Sequence, residues 1–407
     1  MRPFGYLLSS SVVSNLADGV LKAGAPLLAV TMTRNPALVS LIGVATTLPW
    51  LLLALHAGAI ADRADRRRIM MLASTARAAS LGGVALLASL GLLNLWLLLV
   101  AVLLAGVAEV FSDTSAQSVL PMTVEPGDLA RANGRVVSSQ TIGNDFLGAP
   151  LAGLVVAALP AAVLGLPALL FAGAALFLLG MRGSYRPAKV STAPLMSDIA
   201  TGLRYLRDHR FLSRLAASAG LMNLANSAYF AVFVLYAVGP GSRMGLEPAA
   251  FAPISAVLAT GAIIGSLLAA RVCAALGEGH TVLAAWLVNS LLLLVPLLAP
   301  TLWALFPVAF LLGLTNAGSN VVVISMRQRL IPAELMGRVN SAYRLIGMGG
   351  MPLGSLIGGL IGTAFGLPAV FVTAVALCLI AWALIFPQLI SPRLTCETAL
   401  AGISGSR

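Results

Sequence analysis

Three acidic residues, Asp18, Glu109 and Asp145, stand deep inside stretches that are otherwise almost free of charge. Inserting an ionisable group into hydrocarbon costs at least about 2.5 kcal/mol, so such residues mark proton relays or ion sites unless a partner neutralises them. Asp18 shares one helix face with Asn15 and Lys22 by i, i+3 and i+7 spacing. The plain alternative is an Asp18–Lys22 pair that only neutralises itself, and the spacing leaves both readings open. Glu109 and Asp113 are one turn apart, and Asp145 has no obvious partner in its own helix. A carboxylate buried alone favours its neutral, protonated form. Asp18, Asp145 and Glu109 are therefore the expected proton carriers. Arg77, about 12 Å into its apolar run, is expected to snorkel towards water.

Neutral polar residues form a second set. Asn223, Asn226 and Tyr229, then Asn316, Ser319 and Asn320, recur at helical spacing in two later apolar runs. With Asn15 and Lys22, the residues Asn223, Asn226, Tyr229, Asn316 and Asn320 are the expected substrate cavity. Asn289 does not fit that pattern and reads as an interhelical hydrogen-bonding residue. Phe230, Phe233 and Tyr236 add aromatic area suited to a bulky, amphipathic, uncharged or cationic solute.

The elements that position these residues follow from composition. Hydrophobic residues make up 59% and charged residues 10% of the 407 positions, against about 25% charged in a soluble domain. Apolar runs of about 20 residues, enough to cross a hydrocarbon core, occur twelve times. They cover 6–30, 39–61, 69–91, 95–117, 135–158, 163–182, 213–238, 251–274, 281–299, 302–326, 341–364 and 367–388. The fold class is an all-α integral membrane protein of twelve transmembrane helices. The first run has no small-residue cleavage site and reads as a retained helix.

The net charge of +11 reports topology. Of 25 Lys and Arg residues, 20 fall in the termini and in the segments after spans 2, 4, 6, 8 and 10, while only Arg34 and Arg243 lie on the opposite side. The positive-inside rule then places both termini in the cytoplasm and makes nucleic acid an improbable partner. Arg outnumbers Lys 23 to 2, which points to a GC-rich genome and a bacterial plasma membrane.

The stretch 182–214 is the longest break in the apolar pattern and divides six spans from six. The expected domains are an N-terminal six-helix bundle over 1–185, a cytoplasmic linker over 186–212, a C-terminal six-helix bundle over 213–390 and a tail over 391–407. Within the linker, Ile199, Leu203, Leu206 and Phe211 have helical spacing among basic residues and predict an amphipathic helix on the membrane surface. The halves echo each other: PGDLARAN at 126–133 and PAELMGRVN at 332–340 each precede a Gly-rich helix with a Pro-Leu pair. Such internal repeats are the arrangement in which transporters place a substrate site between two bundles.

Between spans 2 and 3, the motif Gly58-x-x-x-Asp62-Arg63-x-x-Arg66-Arg67-Arg68 resembles the signature loop of the major facilitator superfamily, and the six-plus-six layout extends the resemblance over the whole chain. Asp65 stands where the family pattern has Gly. The resemblance implies a cytoplasmic latch of Gly58, Asp62, Arg63, Arg66 and Arg67, with Asp62 near the start of span 11 at Asn340 and Arg66 paired to Asp113. Span 5 carries Gly143, Gly148, Pro150 and Gly153, similar to the Gly-Pro-rich motif of the family's proton-coupled exporters, although Ala149 separates Gly148 from Pro150. It implies efflux in exchange for protons, with spans 1, 4, 7 and 10 lining a central cavity.

Other chemistries lack their residues. Neither Lys22 nor Lys189 sits in a phosphate-binding Gly-Lys-Ser/Thr loop. His56, His209 and His280 have no metal-ligand spacing, and Cys273, Cys378 and Cys396 stand alone. No cofactor and no enzymatic activity are expected. The expected partners are a small-molecule substrate such as a drug or siderophore-like compound, protons and the bilayer, and the fold would work as a monomer. An importer, a uniporter, a lipid translocator or a receptor-like protein stays open as the alternative.

Overall fold

A computed structural model of the chain describes residues 3–61, 63–186, 195–332 and 335–390. The fold is helical almost throughout. The first half contains α1 (Pro3–Met32), α2 (Pro36–Ala61), α3 (Arg66–Ser89) and α4 (Leu95–Val119). Span 5 follows in three pieces: α5 (Leu129–Gln140), a π-helical stretch (Thr141–Gly148) and α6 (Ala149–Ala158). Span 6 is α7 (Ala162–Leu179). After the linker helix α8 (Leu195–Asp208) come α9 (Arg210–Ala237), α10 (Phe251–Leu276), α11 (Glu278–Leu292), the short α12 (Val295–Leu298), α13 (Leu302–Leu330), α14 (Met336–Phe365) and α15 (Leu367–Ile390).

Among the described residues, eleven helices are long and apolar enough to cross a membrane. The first, α1, has the length but not the mean hydropathy, because its serines, Asn15, Asp18 and Lys22 replace apolar residues.

Helix boundaries have local causes. Asn94 accepts from Leu97 N–H at 3.0 Å to cap α4, and Thr301 caps α13 through Ala304 N–H. Gly277, at φ 78°, makes the tight link between α10 and α11 in the left-handed region that other residues avoid. Asp65 needs no such freedom. Its φ of −72° is ordinary extended backbone, and its Oδ1 accepts from Arg67 and Arg68 N–H at 3.0 and 3.4 Å, so it is the N-cap of α3. The departure from the family's glycine therefore adds a cap. Asp65→Ala should cost about 1 kcal/mol, seen as a lower melting temperature in detergent, whereas Asp65→Gly should cost only a few tenths; equal melting of all three proteins would remove the capping role.

The contacts group into two units. The first comprises Met1–Ala193, Phe230–Ala256 and Ser355–Leu367, the second Pro194–Tyr229, Val257–Gly354 and Pro368–Arg407. In the first, α1 and α3 pack on α7 and α2 packs on α4 around Leu28, Leu81, Leu98, Leu164 and Phe171. The ends of α9 and α14 belong to this unit because they meet the α1–α2 end, and the start of α10 because it meets α6 at Gly153. Arg34 donates to Val238 O at 2.7 Å, Ala37 N–H donates to Thr363 Oγ1 at 3.1 Å, and Gly359 lies directly on Ser40. In the second unit α11 packs on α13, and glycines make the closest approaches: Gly261 and Gly265 against the backbone of Phe310 and Leu314, Gly354 against that of Leu224. Lipid gives no hydrophobic drive for helix association, so close packing through small residues takes its place.

The linker helix departs from the surface-lying expectation. Gly202 rests on the Arg338 carbonyl at the start of α14 and Leu206 is buried, so protein covers part of the face assigned to lipid, while Leu203 and Arg207 stay exposed.

Candidate proton-coupling and substrate sites

The first unit buries a four-ion cluster. Asp18 on α1 pairs with Arg77 on α3; the same guanidinium lies 3.5 Å from Glu109 Oε2 on α4; and Lys22 Nζ donates to Glu109 Oε1 at 2.7 Å. Arg77 is 2% exposed and its guanidinium carbon sits 4.0 Å over the Phe171 ring. Two cations and two anions make the set neutral, which is the condition for keeping charge in a low-dielectric interior.

The cluster decides one open reading and overturns one expectation. Asp18 and Lys22 are not partners along their helix; each reaches across to another. Arg77 does not snorkel, because two carboxylates at its own depth offer more than distant water. The sequence held the signal: one cation and two acids in three different spans at matching depths. What it lacked was the facing of the helices.

Below the cluster, a cavity of about 390 Å³ opens among α1, α4 and span 5, lined by Ser10, Ser14, Asn15, Asp113, Gln117 and Asn133 among others. Asp113 thus faces a polar cavity. Arg66 donates to Ala61 O at 3.0 Å and to Ser118 O at 3.1 Å near the end of α4. Arg67 donates to Leu178 O at 2.8 Å and Leu179 O at 3.0 Å at the end of α7. Cations at helix C-termini satisfy orphan carbonyls and the negative end of the dipole. The loop arginines therefore tie the ends of α4 and α7 to the start of α3. Arg63 is exposed, a side chain at Gly58 would meet nothing within 4 Å, and Asp62 lies outside the described residues.

Span 5 is pressed against α1 by glycine. A Cβ at Gly143 would lie 2.8 Å from Asn15 Cβ, and one at Gly148 would lie 2.7 Å from Gly19 Cα. Gly153 meets Pro248 O at a corresponding 2.8 Å. Pro150 contributes no N–H to the helix, and the π-helical stretch Thr141–Gly148 immediately precedes α6, which holds it. Such π-turns concentrate at functional positions. Asp145 falls within this stretch; its side chain is outside the description.

In the second unit, Asn223, Asn226, Asn316 and Asn320 line one cavity of about 170 Å³, together with Trp286 and Asn289. Asn289 belongs to this group after all, and its buried Oδ1 has no hydrogen-bond partner among the described residues. Tyr229 does not join them: its ring packs 4.5 Å from that of Phe371.

The sequence profile of the transmembrane secretion effector family (MFS_3) matches residues 2–398. The chain belongs to this family of major facilitator transporters. This transporter is 26% identical over 388 residues to the multidrug efflux pump Tap of Mycobacterium tuberculosis (strain ATCC 25618 / H37Rv), covering 91% of this chain and 89% of the pump. It is 26% identical over 384 residues, 90% of each chain, to the uncharacterised MFS-type transporter y4rN of Sinorhizobium fredii (strain NBRC 101917 / NGR234). Its fold is similar to that of a bacterial homologue of the iron transporter ferroportin in an inward-facing state, with TM-score 0.75 and 16% identity over 96% of this chain and 99% of that one. The nucleoside transporter NupG gives TM-score 0.76 at 13% identity, covering 96% and 100%. At these identities the structures show the fold alone.

Proposed function

We propose that this transporter exports a small amphipathic compound from a bacterial cytoplasm in exchange for protons, by alternating access. The observation that supports it best is the neutral ion cluster of Asp18, Lys22, Arg77 and Glu109. Glu109 holds two cations at once, so a proton on it weakens both pairs together. Lys22, whose side chain is 41% exposed, is then free to hydrate, and the pins between α1, α3 and α4 loosen. A proton on Asp18 releases Arg77 in the same way. Protonation thus becomes a rearrangement of three helices, the event a coupled transporter needs.

The similarity to Tap, a multidrug efflux pump, favours export of a drug-like compound, and the glycine contacts of span 5 fit the exporter motif. We assign Asp145 to the same proton path, Asn15 and Lys22 with the second-half asparagines to substrate, and Asp62, Arg63 and Arg66 to the cytoplasmic latch that the family resemblance implies. Both termini then face the cytoplasm, two six-helix halves flank the linker, and the monomer is the working unit.

Inside-out vesicles acidified by respiration, read with a pH-sensitive dye and a panel of hydrophobic cations and antibiotics, test the proposal. A transported compound should dissipate the gradient with the unmutated protein and fail to do so with Asp18→Asn, Glu109→Gln or Asp145→Asn. Exchange of a labelled compound with no movement of protons would replace the antiporter by a facilitator.

A further inference from the structure

The cavity of about 390 Å³ in the first unit adjoins the ion cluster. Asp113 on α4 stands one turn beyond Glu109, and Asn15 on α1 stands one turn before Asp18. Ser10 and Ser112 of the lining are buried, whereas Gln117 and Asn133 are exposed, so the cavity reaches from the interior to the surface. Asp113 keeps part of its own surface accessible there.

Asp113 is the one charged side chain among the described residues that line this cavity, and no aromatic ring joins it. The strongest charges acting on it come from Glu109, Asp18, Arg77 and Lys22. Those four already sum to zero, because each cation is held by a carboxylate of the cluster. The charge of Asp113 is therefore left over inside a membrane bundle, where an unbalanced ion is expensive. A cation that enters the cavity supplies the balance.

The lining also decides which kind of cation fits. A quaternary ammonium has no N–H to donate and is held by aromatic faces, and none lines this cavity among the described residues. A primary ammonium carries three N–H donors and no acceptor. Carboxylate, hydroxyl and amide oxygens receive such donors, and Ser10, Ser14, Ser112 and Gln117 place them in the same cavity as Asp113. Leu7, Met70 and Val136 add apolar wall for a carbon chain.

We infer that this cavity is a binding subsite for a primary alkylammonium group, with Asp113 as the residue that selects it. Its volume equals that of about thirteen water molecules in the liquid, room for the ammonium and several carbons. The inference rests on the transport reading and deepens it by naming a substrate class; it needs no proton movement.

The test is equilibrium dialysis of the full-length protein in phosphatidylcholine nanodiscs against radiolabelled n-butylammonium, n-butyltrimethylammonium and butan-1-ol, with the uptake of empty nanodiscs subtracted. The primary ammonium should bind saturably. The other two should bind at least about tenfold more weakly, the loss of one charge-assisted hydrogen bond. Asp113→Asn keeps the size of the side chain and removes its charge, so it should weaken n-butylammonium at least about tenfold, and Asp113→Glu should restore part of the binding. Because the charge is unbalanced within the bundle, Asp113→Asn should melt at or above the temperature of the unmutated protein, which separates lost binding from lost folding. Equal binding of the primary and quaternary ammonium, or binding indifferent to Asp113→Asn, overturns the inference. An Asp113→Asn protein that melts lower with its binding intact overturns it too, and makes the carboxylate a structural tie. Dialysis runs without a gradient, so its failure and that of the vesicle experiment are read separately: a neutral compound exported against protons would sink the ammonium subsite and keep the antiporter.

Discussion

Arg77→Met should be the most destabilising single substitution in the ion cluster. The guanidinium at 2% exposure balances Asp18 and, with Lys22, Glu109. Methionine fills much of the same volume but leaves Asp18 uncompensated, and breaking a buried pair from one side costs about 3–5 kcal/mol. Arg77→Lys should restore only part of this, since a single ammonium cannot serve two carboxylates in a fork and also spread over the Phe171 ring. Arg77→Met with Asp18→Asn leaves Glu109 paired to Lys22 and returns the set to neutrality. Melting followed by fluorescence-detected size exclusion should therefore rank the unmutated protein first, then the double variant, Arg77→Lys and Arg77→Met. A single variant that melts with the unmutated protein would mean that Arg77 carries no structural charge.

The same cluster shows how far the sequence could be read. The recurring membrane-crossing helices were legible because a bilayer forces length and apolarity on such helices, and α1 was found by its length despite its polar residues. The depth of Asp18, Arg77 and Glu109 was legible too, since each residue adds a fixed rise. Which helix face meets which neighbour was not. Asp18 and Lys22 share a face, which left a self-neutralising pair open, yet Arg77 of α3 meets Asp18 and Glu109 of α4 meets Lys22. Asn289 looked stray for the same reason: the face of span 9 that carries it could not be read from spacing alone. The loop arginines illustrate another limit. Their number and place are plain in the sequence, but Arg66 and Arg67 bond backbone carbonyls of α4 and α7, and carbonyls have no signature in a sequence. Asp113, matched by resemblance to Arg66, faces a cavity that no pattern in the sequence marks.

Gly148→Ala and Gly19→Ala should each damage the protein more than alanine normally does in a membrane helix. Alanine is the better helix former, so in isolation either change would stabilise by up to about 1 kcal/mol. Here the added methyl has nowhere to go. At Gly148 it would lie 2.7 Å from Gly19 Cα and 2.9 Å from Gly19 C, and at Gly19 it would collide with the Asn144 backbone. Backbone atoms cannot rotate away as a side-chain tip can, so α1 and span 5 must separate, at about 1–3 kcal/mol for overpacking. Gly58→Ala is the control, because nothing lies within 4 Å of that position; it should melt with the unmutated protein. The separation also has a functional reading. α1 carries Asp18 and Lys22, whose partners stand on α3 and α4, so a shift of α1 stretches the ion pairs that protonation is proposed to loosen. Gly148→Ala should then lose proton-coupled transport in vesicles even at temperatures where it stays folded. Normal coupling in a folded Gly148→Ala protein would confine the glycines of span 5 to packing and leave the ion cluster to act without them.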